Sequence, residues 1–313
     1  MKIQCELFNH KLSTKMISIL SHIEDEIVFS NEHGLRHPVA IYNLSSTKVY
    51  SSFEKIIGEL QRKNRDNVLL SDLHLKLVES LTAYVDDVYC IVKCFIPSTR
   101  VKSNIIFNDK WLTKIYKNEV SFFKNNITEY RNVFANINNR VKHNHGRYIQ
   151  IEMKSIVGNS SGFFIDGVDD MGTVIPFEDI HPRFQGAYTA TSYNHSIRKL
   201  LFSYLAIDYY AADFLYKVVH AEHSMKLKRY SVEETSSKRL NEIVIEIDKL
   251  SKMYFPNEFH DAVEIKQSNR EATLVYPARV TYQNKLLQPK NMSFTCKHNG
   301  DGYSNSYGIP YMK

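Results

Sequence analysis

A chain of 313 residues with 43% hydrophobic content can bury a full core, which excludes a disordered or fibrous protein, and at roughly 100–200 residues per domain it holds one large domain or two. The 20 Tyr and 17 Phe against one Trp and 11 Gly point to a tightly packed, mainly helical protein, and a net charge of +6 permits an acidic partner such as RNA without demanding one. The longest apolar-looking stretch, Ile207 to Ala221, carries Asp208, Asp213, Lys217 and His220, which excludes a bilayer span, and Met1 to Lys11 lacks the apolar run of a secretory signal.

The expectation from these features is a soluble, cytoplasmic protein with no membrane partner. Apolar residues at three- and four-residue intervals predict helices over Lys11 to Phe29, Lys48 to Lys63, Leu69 to Phe95 and Asp109 to His143. The last is the clearest, with Leu112, Tyr116, Val120, Phe123, Ile127, Tyr130, Phe134, Ile137 and Val141 forming one seam. The third has a seam of similar length, so these two are expected as antiparallel neighbours across the loop that Pro97 starts. Cys90 and Cys94 lie one turn apart in an apolar run and read as buried free thiols; with Cys5 and Cys296 they are too scattered for a disulfide framework.

The periodicity changes at Gly146. Ile149 to Lys154 alternates with period two, a half-buried strand, and Phe163–Ile165 and Thr173–Ile175 flank the Gly/Asp-rich turn Asp166 to Gly172 as a hairpin. Helical spacing resumes over Tyr193 to Lys228 and Glu233 to Phe255, with Pro256 ending the last helix. Ala272 to Thr281 and Met292 to Lys297 read as short strands ahead of a Gly/Asn/Ser/Tyr tail. The expected fold is mainly α. Residues 1–146 form a helical-bundle part with the candidate site, 147–191 a small β insertion, 192–256 a helical hairpin completing the bundle, and 257–313 a β/coil tail.

The segment most suggestive of chemistry is Asn139-Arg140-Val141-Lys142-His143-Asn144-His145, at the end of the longest amphipathic helix, where Asn136, Asn139, Arg140 and His143 share one polar face. A histidine titrates near neutrality and can move a proton, and an arginine offers a planar, permanently charged fork to phosphate oxygens. RNA carries its own nucleophile in the 2′-OH, so such a set can serve cleavage without a metal or other cofactor. A plainer reading makes Arg140 to Arg147 a basic helix terminus that complements the macrodipole, with His145 continuing the seam and Gly146 as the left-handed cap. Lys226, Lys228 and Arg229 form a second cluster of that kind.

The four-residue spacing between Arg140 and His145 resembles the Arg-x4–6-His motif of the HEPN superfamily, helical bundles many of which are ribonucleases of phage defence, toxin–antitoxin and CRISPR systems. The resemblance covers the helices around the motif, Leu69 to Arg147. It implies an up-and-down HEPN-like bundle, a metal-independent endoribonuclease with Arg140, His143 and His145 as catalytic candidates, and a homodimer that pairs two motifs. It also implies a free effector or a partner protein of a defence or antitoxin system. Asn136, Asn139, Lys142 and Arg147 would contact the RNA. Many active members have a polar residue directly after the arginine, where this chain has Val141, so His143 and His145 both stand as the working histidine.

Two alternatives come from other classes. A catalytically silent HEPN-like module would bind RNA or a protein through the same face. His220 and His223, with His260-Asp261 and Asp301, resemble the ligand order of metal-dependent HD phosphohydrolases, although Pro256 breaks the helix ahead of His260. No nucleophile elbow, P-loop or dinucleotide fingerprint is present.

Overall fold

The computed structural model describes residues 1–8, 11–101, 105–155, 158–224, 237–269, 271–278, 291–295 and 307–311. The first of these form a strand, β1 (Lys2–Phe8), followed by the two-residue β2 (Lys11–Leu12) and a short helix, α1 (Lys15–Leu20). Two long helices follow, α2 (Pro38–Leu60) and α3 (Asn67–Lys93), then the short α4 (Asn108–Thr113) and the long α5 (Lys117–His143). Strands β3 (Tyr148–Ser155), β4 (Gly158–Val168), β5 (Val174–Pro176) and β6 (Thr191–Ser192) lead into the longest helix, α6 (Tyr193–His223). The final described elements are α7 (Lys238–Lys249), β7 (Ala262–Gln267), β8 (Glu271–Ala278) and β9 (Asn291–Thr295).

The fold is α-rich but mixed. α2 packs against α3, α5 against both α3 and α6, and α6 also against α1. The α3–α5 neighbours expected from their seams are therefore present, although α5 leans more on α6 than on α3. α6 is buried over most of its circumference, and Phe202, Tyr204, Ala211, Phe214 and Leu215 pack into a core shared with α2, α3 and α5. Among the described residues no helix is long and apolar enough to cross a membrane.

The β content exceeds a small insertion and tail. One antiparallel sheet runs β2-β1-β8-β7, so the start of the chain pairs with its C-terminal part: Ile3 lies opposite Leu274 and Cys5 opposite Ala272. The other runs β5-β4-β3-β9 with β6 on β4, and contains the expected hairpin, in which Val168 faces Val174. Asp169 closes its turn by accepting from the backbone N–H of Met171 and Thr173 at 2.9 and 2.8 Å. β1 and β7 were absent from the sequence expectation. β1 nevertheless alternates, with Ile3 and Cys5 buried and Lys2, Gln4 and Glu6 exposed.

Tertiary contacts moved several helix ends. The helix expected over Lys11 to Phe29 shortens to Lys15–Leu20, because Leu12 exchanges two backbone hydrogen bonds with Ser237 and becomes a strand residue. α2 starts ten residues before Lys48, at Pro38, whose fixed φ and missing N–H suit the first helical position. The helix expected from Asp109 to His143 breaks at residues 114–116, where Tyr116 leaves helical geometry (φ −120°, ψ 54°). That break lets Trp111 and Leu112 bury while the Tyr116 hydroxyl donates to Glu222 on α6. α6 ends at His223 with Ser224 in the left-handed region; Lys226, Lys228 and Arg229 lie outside the described residues.

Two buried polar side chains brace this arrangement. Asp208, in the middle of α6, accepts from the Met16 backbone N–H at 3.1 Å and from the Tyr42 and Tyr84 hydroxyls at 2.9 Å each, tying α1, α2 and α3 to one carboxyl group. Burial pushes its pKa up against these hydrogen bonds. Arg198, 1% exposed, donates to the carbonyls of Asn194, Ser251, Leu250 and Asp248 at 2.9, 3.2, 2.6 and 3.4 Å. It thereby takes over the carbonyls at the end of α7, which stops at Lys249 rather than running to Phe255.

Candidate functional site

The polar end of α5 meets the second sheet through Asp166 on β4. The carboxylate of Asp166 accepts from the backbone N–H of Arg147 at 2.7 Å and from its Nε at 2.9 Å, while the Asp166 carbonyl accepts from Arg140 Nε at 3.3 Å. The Arg140 guanidinium also lies 4.3 Å from the centre of the Phe177 ring. Among the described residues its two Nη groups have no acceptor, so the fork is held by its stem and its Nε edge while its outer edge remains available.

The chain leaves the helix here through a tight approach. The left-handed residue is His145 (φ 56°) and not Gly146, and the Gly146 N–H returns to the Arg140 carbonyl at 2.9 Å. Glycine at 146 is required for a different reason: a Cβ there would lie 2.6 Å from Arg140 Cγ and 3.1 Å from Ile165 Cγ2. The site arginine is thus seated against the backbone of the turn that follows it.

Not all the residues expected from the sequence share this face. Asn136, Asn139 and Arg140, with Asn144, Phe177 and Asp179, line an open cavity of about 420 Å³. His143 and His145 are exposed but do not line it, and among the described residues neither imidazole has a hydrogen-bond partner that would orient it. Lys142 pairs with Glu79 on α3 at 3.2 Å. Arg147 lines a separate groove with Val68 and Tyr148, so the residues expected to contact RNA split between two faces.

A larger cavity, of about 470 Å³, adjoins the first and shares Asn136 and Asp179 with it. It lies between α5, the loop before β6 and the start of α6, and sequence reasoning missed it because its residues come from four distant segments. At its floor, Glu258 accepts from the Ser192 backbone N–H at 2.7 Å, the Ser192 hydroxyl at 2.6 Å and the Phe255 backbone N–H at 2.7 Å. His195 Nε2 donates to the Asp261 carbonyl at 2.8 Å, which fixes the tautomer and turns Nδ1 toward Glu258 Oε1 at 3.4 Å. Lys199 pairs with the Asp261 carboxylate, to which the Tyr276 hydroxyl also donates.

No family model, curated protein or solved structure matches the chain. Its chemistry is therefore read from its own residues. The HD-like ligand order is not assembled: His223 Nε2 donates to the Phe95 carbonyl at 2.8 Å, His220 stacks on Tyr216, and Asp261 is held by Lys199 and Tyr276. Among the described residues no three His, Cys, Asp or Glu side chains are grouped to hold a metal; Asp301 lies outside them, as does Cys296.

The buried pair gives a test of its own. Burial raises the Glu258 carboxyl to about 8; burial, with the Lys199 charge, lowers His195 to about 4. Between pH 6.5 and 8 the folded protein holds a proton on Glu258 that the unfolded chain has released, so stability falls as pH rises, by up to about 1.4 kcal/mol per pH unit. From pH 6.5 down to 4.5 the unfolded chain gains a proton on histidine that buried His195 refuses, and the two effects oppose. Urea unfolding should show this decline from pH 6.5 to 8 in the native sequence, and Glu258→Gln should flatten it. An equal decline in both proteins would place its origin elsewhere.

Proposed function

We propose that the end of α5 is the working face of a metal-independent endoribonuclease of HEPN type, with RNA as substrate. The observation that carries this reading is the Arg140 fork, held by Phe177 and the Asp166 carbonyl with its Nη edge open, with His143 and His145 exposed three and five residues further along the chain. A guanidinium so placed loses little freedom on gripping a phosphate, and its charge stabilises the phosphorane that forms. One imidazole, of His143 or His145, takes the proton of the 2′-OH as that oxygen attacks the adjacent phosphorus. A second proton carrier protonates the departing 5′-oxygen as the P–O5′ bond breaks. The products are a 2′,3′-cyclic phosphate and a 5′-hydroxyl.

The second proton carrier makes a two-fold dimer part of the proposal, since each copy would bring its own Arg140 and histidines to a shared cleft. Such an enzyme fits a phage-defence or toxin effector, alone or held by an antitoxin partner. The lack of an orienting partner for either imidazole favours a second reading, a silent relative that binds RNA through Arg140, Asn136 and Asn139 without cleaving it. Incubation of the protein with single-stranded RNA in excess chelator separates these. Cleavage should persist undiminished and leave cyclic phosphate ends. Binding without cleavage selects the silent module, and cleavage that chelator abolishes and zinc or manganese restores overturns the metal-independent scheme.

A further inference from the structure

The cavity next to Arg140 has the surface of a nucleobase site rather than a phosphate site. Its cations are already engaged, Lys199 by Asp261 and Arg183 by Glu178 at 2.8 Å, whereas the carboxylates of Glu129 and Asp179 have no partner among the described residues. Asn132 and Asn136 add amides that can donate or accept. The two unpaired carboxylates repel a phosphate and accept readily from the N–H groups along a base edge.

The wall also offers an aromatic face. Phe184 lines the cavity half-buried and stacks on no other ring among the described residues. It sits at one corner of a two-residue turn in which the Phe184 and Ala187 backbones exchange hydrogen bonds of 3.0 and 3.1 Å, with Gln185 (φ 51°) and Gly186 (φ 83°) both in the left-handed region. This is the primed turn that gives a rigid corner. Unpaired RNA bases are read by stacking on such aromatic rings and by hydrogen bonds to their edges. At about 470 Å³ the cavity is within the ~300–1,000 Å³ usual for small-molecule sites.

We infer that this cavity is a guanine-binding subsite for the RNA whose phosphate rests on Arg140: the base stacks on Phe184 and presents its adjacent N1–H and N2–H donors to the Asp179 carboxylate. Guanine is the base with two neighbouring donors on one edge, the arrangement a carboxylate accepts in bidentate form. Asp179 and Asn136 line both cavities, so one nucleotide can span them. The inference rests on the proposed RNA function of the Arg140 face and adds a specificity to it.

Calorimetric titration of the full chain with guanosine, adenosine, cytidine and uridine monophosphates and with inorganic phosphate tests it. Guanosine monophosphate should bind roughly tenfold more tightly than the other nucleotides, in line with one good bidentate base contact. Phe184→Ala should weaken all four nucleotides by about tenfold, the effect of losing one stacking face, and leave inorganic phosphate unchanged. Asp179→Asn should erase the guanine preference alone, and circular dichroism should confirm that both variants fold. Four nucleotides bound equally, or unchanged binding in both variants, overturns the base site. If Arg140→Ala still weakens RNA binding in that case, the Arg140 face stands without it; if the native protein binds neither RNA nor any nucleotide, both readings fall.

Discussion

Replacing Arg140 with Ala is expected to reduce RNA cleavage by about 10²–10⁴-fold while leaving the melting temperature close to that of the native protein, the range for losing a phosphate-stabilising group or a proton carrier. The stability side of this expectation follows from the geometry: Arg140 makes one 3.3 Å hydrogen bond and one ring contact at a partly exposed position, and Phe177 can close over a truncated side chain. His143→Ala and His145→Ala should separate the two candidate bases, with a loss of similar size for the working one and little change for the other. Both are exposed, so His143→Ala should disturb folding by no more than about 0.5 kcal/mol, while His145→Ala should cost about 0.5–1 kcal/mol because its left-handed backbone suits histidine better than alanine. Cleavage within a few-fold of native in all three variants would remove the α5 terminus from the chemistry. Loss of RNA affinity with a flatter salt dependence, in a protein that never cleaved, would assign the same residues to binding.

The largest stability effect is expected at Arg198. Its guanidinium reaches four carbonyls, three of them at or just beyond the end of α7, and each buried carbonyl left unsatisfied costs about 1–3 kcal/mol. These costs do not add fully, because water can enter next to Ser251, which is exposed. Arg198→Met, which keeps most of the volume and none of the donors, should therefore destabilise the fold by about 4 kcal/mol or more, beyond the usual range for a single substitution. Arg198→Lys should recover only part of that, since an ammonium lacks the planar fork that serves several acceptors at once. Equilibrium urea unfolding checks both, and a loss under about 1 kcal/mol for Arg198→Met would show that the carbonyls find other donors.

The helices were legible in the sequence wherever one face carries the pattern. The seam from Val120 to Val141 is the buried or half-buried face of α5, and the run from Leu70 to Ile91 lies within α3. Helix ends were less legible because they are set from outside the helix, by Leu12 pairing with Ser237, by Glu222 drawing Tyr116 away, and by Arg198 taking the carbonyls after Lys249. β1 alternates plainly, yet a strand needs a partner, and its partner is more than two hundred residues away in the chain. The Arg140 face was visible because it is built from one helix. The cavity beside it was not, since Glu129, Asp179, Phe184, His195 and Glu258 share no spacing, and Asp261 read more readily as half of a His-Asp pair.

The pairing of β1 with β8 also sets an order on events at the ribosome. Ile3 is synthesised well over two hundred residues before the strand it lies against, opposite Leu274, which emerges only after the long helices described above have been made. In the interval β1 offers unpaired backbone groups and the side chains of Ile3 and Cys5 with no sheet to receive them, the condition in which nascent strands pair with neighbours or engage holding chaperones. Contacts this far apart in sequence also slow the last stage of folding. Closing this sheet is thus a late step of biogenesis, after the Asp208 hub has had the chance to gather α1, α2, α3 and α6.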